Sequence, residues 1–208
     1  MILIGQYDSS FVRRAGIALR LYGLPFEHRP WSVFGDADRI AALNPLTRVP
    51  TMILDDGEVL VDSATILDHL DGLVAPELAL CPRAGPERRQ SLKVSALASG
   101  VADKSVSLFY ERHLHETPSD AWVARCLRQI RSTLAALETD RAGRAGPYWF
   151  GERIGHADIA VAASIRHMRD SHPDLAGLDG CPALADHCGR MEELPVFQEI
   201  SQPFVPPA

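Results

Sequence analysis

The chain has 208 residues, is 46% hydrophobic and carries a formal charge of −6. That is enough apolar material for a sizeable core, and the acidic balance argues against nucleic acid or an anionic membrane surface as a partner. No apolar run approaches the roughly 20 residues of a membrane helix, and Met1 leads into a strand pattern without a charged leader, so the expectation is a soluble, cytoplasmic protein.

In chain order the first element is a short apolar strand, Ile2-Leu3-Ile4, after which Ser9-Ser10 opens a helical run through Tyr22, closed by Gly23. A serine in that place is an N-cap candidate, and it also sets a hydroxyl at the positive end of a helix, where a thiolate is stabilised. After Asn44-Pro45 comes Val49-Pro50, directly before the apolar run Thr51-Met52-Ile53-Leu54. Proline has no N–H for a sheet and restricts the residue in front of it. A cis bond is the natural solution, since X–Pro adopts cis far more cheaply than other bonds. It would turn the N–H and C=O of Val49 outward as a free strand edge on which a peptide could pair. Val59-Leu60-Val61 is the next strand, and Asp62-Ser63 opens a helix running to Leu70, with backbone donors that attract a carboxylate. Taken singly, each feature has a plain structural reading as a cap or an edge. Their occurrence in this order, within strand, helix, strand, helix, strand, strand, helix, favours a ligand site.

A boundary follows at Gly72 to Pro76, and the Pro/Gly-rich stretch continues to Gly85-Pro86. Pro86 suits a first helical position, and that helix is expected to run to about His115. Ser119-Asp120 caps another helix ending near Arg144, along which Arg125, Arg128 and Arg131 form a solvated face. In Ile154 to Ile159, Asp158 stands three residues after a capping position occupied by Gly155. Gly is a few tenths of a kcal/mol short of the best caps, so a helix should still start there. A last helix and turn are expected over Cys181 to Met191 and Leu194-Pro195, and the Pro-rich tail 203–208 is the one stretch whose composition suggests disorder. Cys81, Cys126, Cys181 and Cys188 lack C-x-x-C or C-x-x-H spacing, so no zinc site or disulfide framework is written here, and the histidine spacings make a metal ligand set unlikely. No cysteine lies in the first eighty residues, which excludes a mixed disulfide at the opening of the first helix.

On Ser9 to Arg13, Asn44-Pro45, Val49-Pro50 and Asp62-Ser63 the chain resembles the glutathione S-transferase superfamily over essentially its whole length, most of all the serine-type and bacterial branches. The resemblance implies an α/β thioredoxin-like N-terminal domain over 1–75, a linker over 76–85 and an all-α C-terminal domain over 86–208, in a cytoplasmic homodimer acting in detoxification. It implies glutathione as cosubstrate, a small apolar electrophile as partner, and no metal. Val49 would pair with the cysteinyl backbone of glutathione, and Asp62 and Ser63 would take its γ-glutamyl end. Counting back from Gly23, and from Phe11 and Arg13, places the activating hydroxyl on Ser9, with Ser10 and Tyr7 as alternatives. Ser10, Arg48, Val49, Pro50, Asp62 and Ser63 are the expected glutathione contacts. Ser10 stands where many relatives have proline, and Thr47-Arg48 where Gly-Lys is usual, although Arg48 keeps the charge. The electrophile pocket is expected at Tyr7, Phe34, Ser105, Phe109, Tyr110 and His113, with Phe109 favoured as core and His113 as surface. Conjugation, a glutathione-dependent isomerisation, dehalogenation or peroxide reduction, and a non-catalytic binding module are the open alternatives.

Overall fold

The computed structural model describes residues 1–175 and 178–206, and the chain divides into two compact units. In the first, β1 (Ile2–Ile4), α1 (Ser10–Leu21), β2 (Glu27–Arg29), α2 (Ala37–Ala41), β3 (Thr51–Ile53), β4 (Val59–Val61) and α3 (Ser63–Gly72) follow one another. The sheet order is β2-β1-β3-β4. β1 runs parallel to β2, with Leu3 opposite His28, and antiparallel to β3, with Leu3 opposite Met52. This is the expected thioredoxin-like arrangement.

Leu3, Ile4 and Met52 are fully buried on the sheet, as are Val12, Ile17 and Leu19 of α1 and Ile66 and Leu70 of α3. Burying such side chains stabilises by about 1.5–3 kcal/mol each before chain entropy is charged against it. The C-terminal ends of α1 and α3 are tied by the Tyr22 hydroxyl, which donates to the Asp71 carboxylate and accepts from the Leu80 N–H at 2.7 Å.

The second unit is all-α: α4 (Gly85–Leu114), α5 (Asp120–Ala142), α6 (His156–Ser171) and α7 (Pro182–Glu192). Pro86 sits in the first turn of α4, and the Ser119 hydroxyl caps α5 by accepting from the Trp122 N–H at 3.4 Å. Helix α6 is the core element, with Ala157 to Ala163 buried. It begins without a side chain at its N-cap, because Asp158 reaches back to the Gly155 N–H at 2.8 Å and also takes the Trp149 N–H at 2.7 Å. Arg125, Arg128 and Arg131 are exposed, as expected of a solvated face. Cys81, Cys126, Cys181 and Cys188 are free thiols.

The chain from Leu194 on, with α8 (Pro195–Glu199), groups with the first unit, whereas the sequence assigned everything from 86 to 208 to the helical domain. The physical reason is Arg13. It is 3% exposed, and its guanidinium donates to the C=O of Ile200 and of Phe197, both at 2.8 Å. A buried cation needs its donors satisfied, and the returning chain offers two carbonyls to it. Of the Pro-rich tail, 203–206 has no helix or strand, with the Val205 N–H bonded to Asp8, and Pro207 and Ala208 lie outside the described residues.

Candidate functional site

In the first unit Gly5 lies between the first turn of α1 and Val49. Its φ is +127°, and a Cβ placed on it would stand 2.5 Å from Val12 Cγ2 and 2.7 Å from Val49 Cβ. Only glycine fits there, so the first turn of α1 and the residue before Pro50 close over it.

Val49-Pro50 is cis. The loop leading to it is held by Asn44, 1% exposed, whose amide donates to the Arg48 C=O at 3.0 Å and to Thr51 Oγ1 at 3.1 Å while its oxygen accepts from the Leu46 N–H at 3.0 Å. Thr47 takes φ +49°, a left-handed conformation that is costly for a β-branched residue and natural for glycine. Among the described residues nothing bonds the Val49 N–H or C=O, and the exposed Arg48 guanidinium has no ion pair or hydrogen bond.

Ser9 occupies the N-cap of α1 with extended dihedrals, yet its hydroxyl makes no capping bond. The plain N-cap reading of this serine therefore does not describe it. Its half-buried hydroxyl stays open at a positive helix end. Ser10 differs: it is 3% exposed, and its Oγ is sealed from solvent without a partner, so the side-chain contact to a ligand expected of Ser10 is closed off. The first turn of α1 has to turn one of two adjacent serines inward, and Ser10 is that one.

Asp62 caps α3 by accepting from the Ala64 N–H at 2.7 Å, and holds φ +70°, ψ 136°. Such a backbone costs of order 1–3 kcal/mol and is kept where surroundings demand it. Ser63, 3% exposed, begins α3, and its N–H and hydroxyl have no bond within the described residues.

The expected pocket residues divide. Tyr7 stacks on His28 with ring centroids 3.9 Å apart, and burial, opposed by Arg20 and reinforced by Glu199, pushes its hydroxyl up to about 12. Phe34 is 44% exposed. Ser105 is corrected outright: it is fully buried, with its hydroxyl spent on the Val101 C=O at 2.9 Å, because α4 buries small residues along this face. Phe109 is core, stacked on His113 at 3.9 Å and edge-on to Tyr110 and to His172. His113 is exposed, as read from the sequence, with Nδ1 on the Phe109 C=O at 2.8 Å. In the helical unit an open cleft of about 550 Å³ is lined by Gln90, Arg144, Trp149 and Phe150 among others, and none of the expected glutathione contacts borders it.

Sequence reasoning missed Gly5 and His28, whose Nε2 lies 2.8 Å from the Gly5 C=O. A glycine directly after a strand and before Ser9-Ser10 was the available signal for the first. His28 carried none.

Residues 3–77 match the glutathione S-transferase N-terminal domain family, and residues 120–190 match the glutathione S-transferase C-terminal domain family. The GST-like protein YibF of Escherichia coli K12 is 32% identical over 140 residues, 66% of this chain and 68% of its own. A maleylacetoacetate isomerase of Pseudomonas aeruginosa is 31% identical over 175 residues, 79% of this chain and 80% of its own. The crystal structure of a glutathione S-transferase from Methylobacterium radiotolerans in complex with glutathione sulfonate superposes with a TM-score of 0.89 at 28% identity, covering 100% of this chain and 98% of that one. With cis Val49-Pro50 and Asp62-Ser63 placed as above, the chain belongs to the glutathione S-transferase superfamily.

Proposed function

We infer that the chain is a glutathione transferase of the serine-type, bacterial kind, which ionises the thiol of glutathione for attack on a small apolar electrophile. The observation that carries this is the idle Ser9 hydroxyl at the N-cap of α1, in the same unit as the unbonded main chain of Val49. The cysteinyl backbone of the tripeptide pairs with the N–H and C=O of Val49. Its γ-glutamyl carboxylate is taken by the N–H and hydroxyl of Ser63, with the Asp62 carboxylate facing the α-ammonium. Arg48 reaches the glycyl carboxylate. Ser10 contributes its place in the first turn and no side-chain contact.

A free thiol has a pKa of about 8.5, and only the thiolate attacks. The Ser9 O–H donates to the sulfur, and α1 adds its positive end, which together lower the thiol pKa by about one to two units, at about 1.4 kcal/mol each. Family membership supports a homodimer in the cytoplasm, and transferase activity on apolar electrophiles supports a detoxifying role.

Ultraviolet titration of bound glutathione tests the chemistry. The parent should hold its thiol at about 7, and Ser9→Ala should return it upward by about one unit with the dissociation constant changed less than about twofold. An identical titration in the two proteins removes Ser9 from the mechanism.

The similarity to a maleylacetoacetate isomerase favours a second reading in which the same thiolate adds to a cis-dienone acid and is released again, so that glutathione serves as a cofactor. Turnover of such acids without consumption of glutathione separates that reading from conjugation.

A further inference from the structure

We propose that the returning chain Ile200–Val205 is a positioning strap for Ser9, acting through the side-chain amide of Gln202. The inference rests on the reading of Ser9 given above.

The loop Gly5–Ser9 is bonded at both ends, and His28 holds its first residue and stacks on Tyr7. The Gly5 N–H donates to the Arg29 C=O at 2.9 Å, and the Ser9 N–H closes a turn onto the Gln6 C=O at 3.2 Å. Helix α1 holds Ser9 from its far side through the Arg13 N–H on the Ser9 C=O at 2.9 Å. The two residues immediately before Ser9 are held from the other end of the chain. The Tyr7 N–H donates to Gln202 Oε1 at 2.9 Å, and the Asp8 carboxylate accepts from the Val205 N–H at 3.0 Å.

The strap is rooted on the helix that Ser9 opens. Arg13 grips the C=O groups of Phe197 and Ile200, and its guanidinium lies 5.4 Å from the centre of the Phe197 ring. Gly16 makes room: a Cβ there would meet Ile200 Cγ2 at 2.9 Å and Tyr7 Cε1 at 3.0 Å. One turn farther, Arg20 pairs with Glu199 at 2.9 Å. The root therefore moves with α1 while the tip fixes residues 7 and 8, and Ser9 is the joint between them. A hydroxyl that must meet a sulfur is sensitive to a shift of about 1 Å, which can lower the rate about a hundredfold. Gln202 is half-buried and Val205 exposed, both outside the buried core, so the strap can loosen without unfolding the unit.

Gln202→Ala removes the acceptor, and Gln202→Glu retains one oxygen for the Tyr7 N–H. In Gln202→Ala the pKa of bound glutathione should rise by about half a unit or more and kcat near neutral pH should fall about three- to tenfold, with the glutathione dissociation constant within about twofold of the parent. Gln202→Glu should restore both. A titration and kcat unchanged in Gln202→Ala, in a protein where Ser9→Ala does raise the thiol pKa, overturn the strap. If Ser9→Ala leaves the thiol untouched, the reading of Ser9 is what fails, and amide hydrogen exchange over residues 6–10 then decides the strap alone. Faster exchange in Gln202→Ala than in Gln202→Glu retains it, and equal exchange overturns it.

Discussion

Replacing Gly5 by alanine strikes the point where α1 meets the residue before Pro50. At φ +127° an L-residue is in territory that is essentially glycine's own, at a cost of about 1–3 kcal/mol. The new methyl also stands 2.5 Å from Val12 Cγ2 and 2.7 Å from Val49 Cβ, an overpacking that costs a further 1–3 kcal/mol or so. Gly23→Ala is the control, because Gly23 also has positive φ, +64°, but nothing lies within 4 Å of its added Cβ. That change should cost only about 1–2 kcal/mol. Urea unfolding should therefore show Gly5→Ala losing about 2–6 kcal/mol, a large share of a typical total of about 5–15. Calorimetry should show glutathione affinity falling about tenfold or more in Gly5→Ala alone, because relief of the clash displaces the main chain of Val49. A Gly5→Ala protein too unstable to purify beside a well-folded Gly23→Ala is the same outcome in stronger form. Equal stability loss and equal glutathione affinity in the two variants would falsify the idea that Gly5 is the joint on which Val49 is set.

Asp62→Ala removes the cap on the Ala64 N–H and leaves alanine at φ +70°, so it should cost about 1–3 kcal/mol and weaken glutathione binding about tenfold, with the bound thiol's pKa unmoved; a moved pKa would contradict the division of labour between Asp62 and Ser9. Thr47→Gly relieves about 1–2 kcal/mol of left-handed strain at φ +49° against about 0.5–1 of added chain entropy, and a urea midpoint below the parent's would show that the loop does not strain Thr47. In the helical unit, burial pushes the Asp158 carboxyl up to about 6 against the Trp149 and Gly155 N–H groups, and burial followed by the charges of Arg141 and Arg190 pushes the His187 imidazole down to about 3. Between pH of about 4 and 6 the fold keeps a proton on Asp158 that the unfolded chain releases, which lowers stability as pH rises. It also denies His187 a proton that the unfolded chain takes up until about 6.5, which raises stability over the same range, so the two slopes cancel. His187→Leu leaves the first slope alone, and urea unfolding across that interval should show stability declining by up to about 3 kcal/mol as pH rises. An unchanged slope would sink that assignment.

The elements of the first unit were legible because their signals are local. Ile2-Leu3-Ile4 and Val59-Leu60-Val61 are strands as read, and α1 begins at Ser10 with Ser9 as its N-cap. Val49-Pro50 is cis, as read from a proline placed directly before a strand. Gly155 with Asp158 starts α6 because the carboxylate takes the Gly155 N–H, the half of a capping box that needs no side chain at the N-cap. What stayed hidden depends on partners distant in sequence. Arg13 reads as an ordinary helical arginine until it meets Ile200, and Gln202 reads as tail until its oxygen meets Tyr7. Ser105 was offered as pocket lining because helical spacing alone does not say which small residue faces the core. Between the two adjacent serines the sequence could only count residues. The inward turn of Ser10 and the open hydroxyl of Ser9 needed the built first turn of α1.

The most direct measurement is a crystal structure of the chain with reduced glutathione bound. The account predicts the cysteinyl N–H and C=O paired with Val49, the γ-glutamyl carboxylate on Ser63 beside Asp62, and the sulfur within hydrogen-bond reach of Ser9 Oγ and away from Tyr7. Glutathione seated elsewhere, or seated here with its sulfur turned from Ser9, would contradict it.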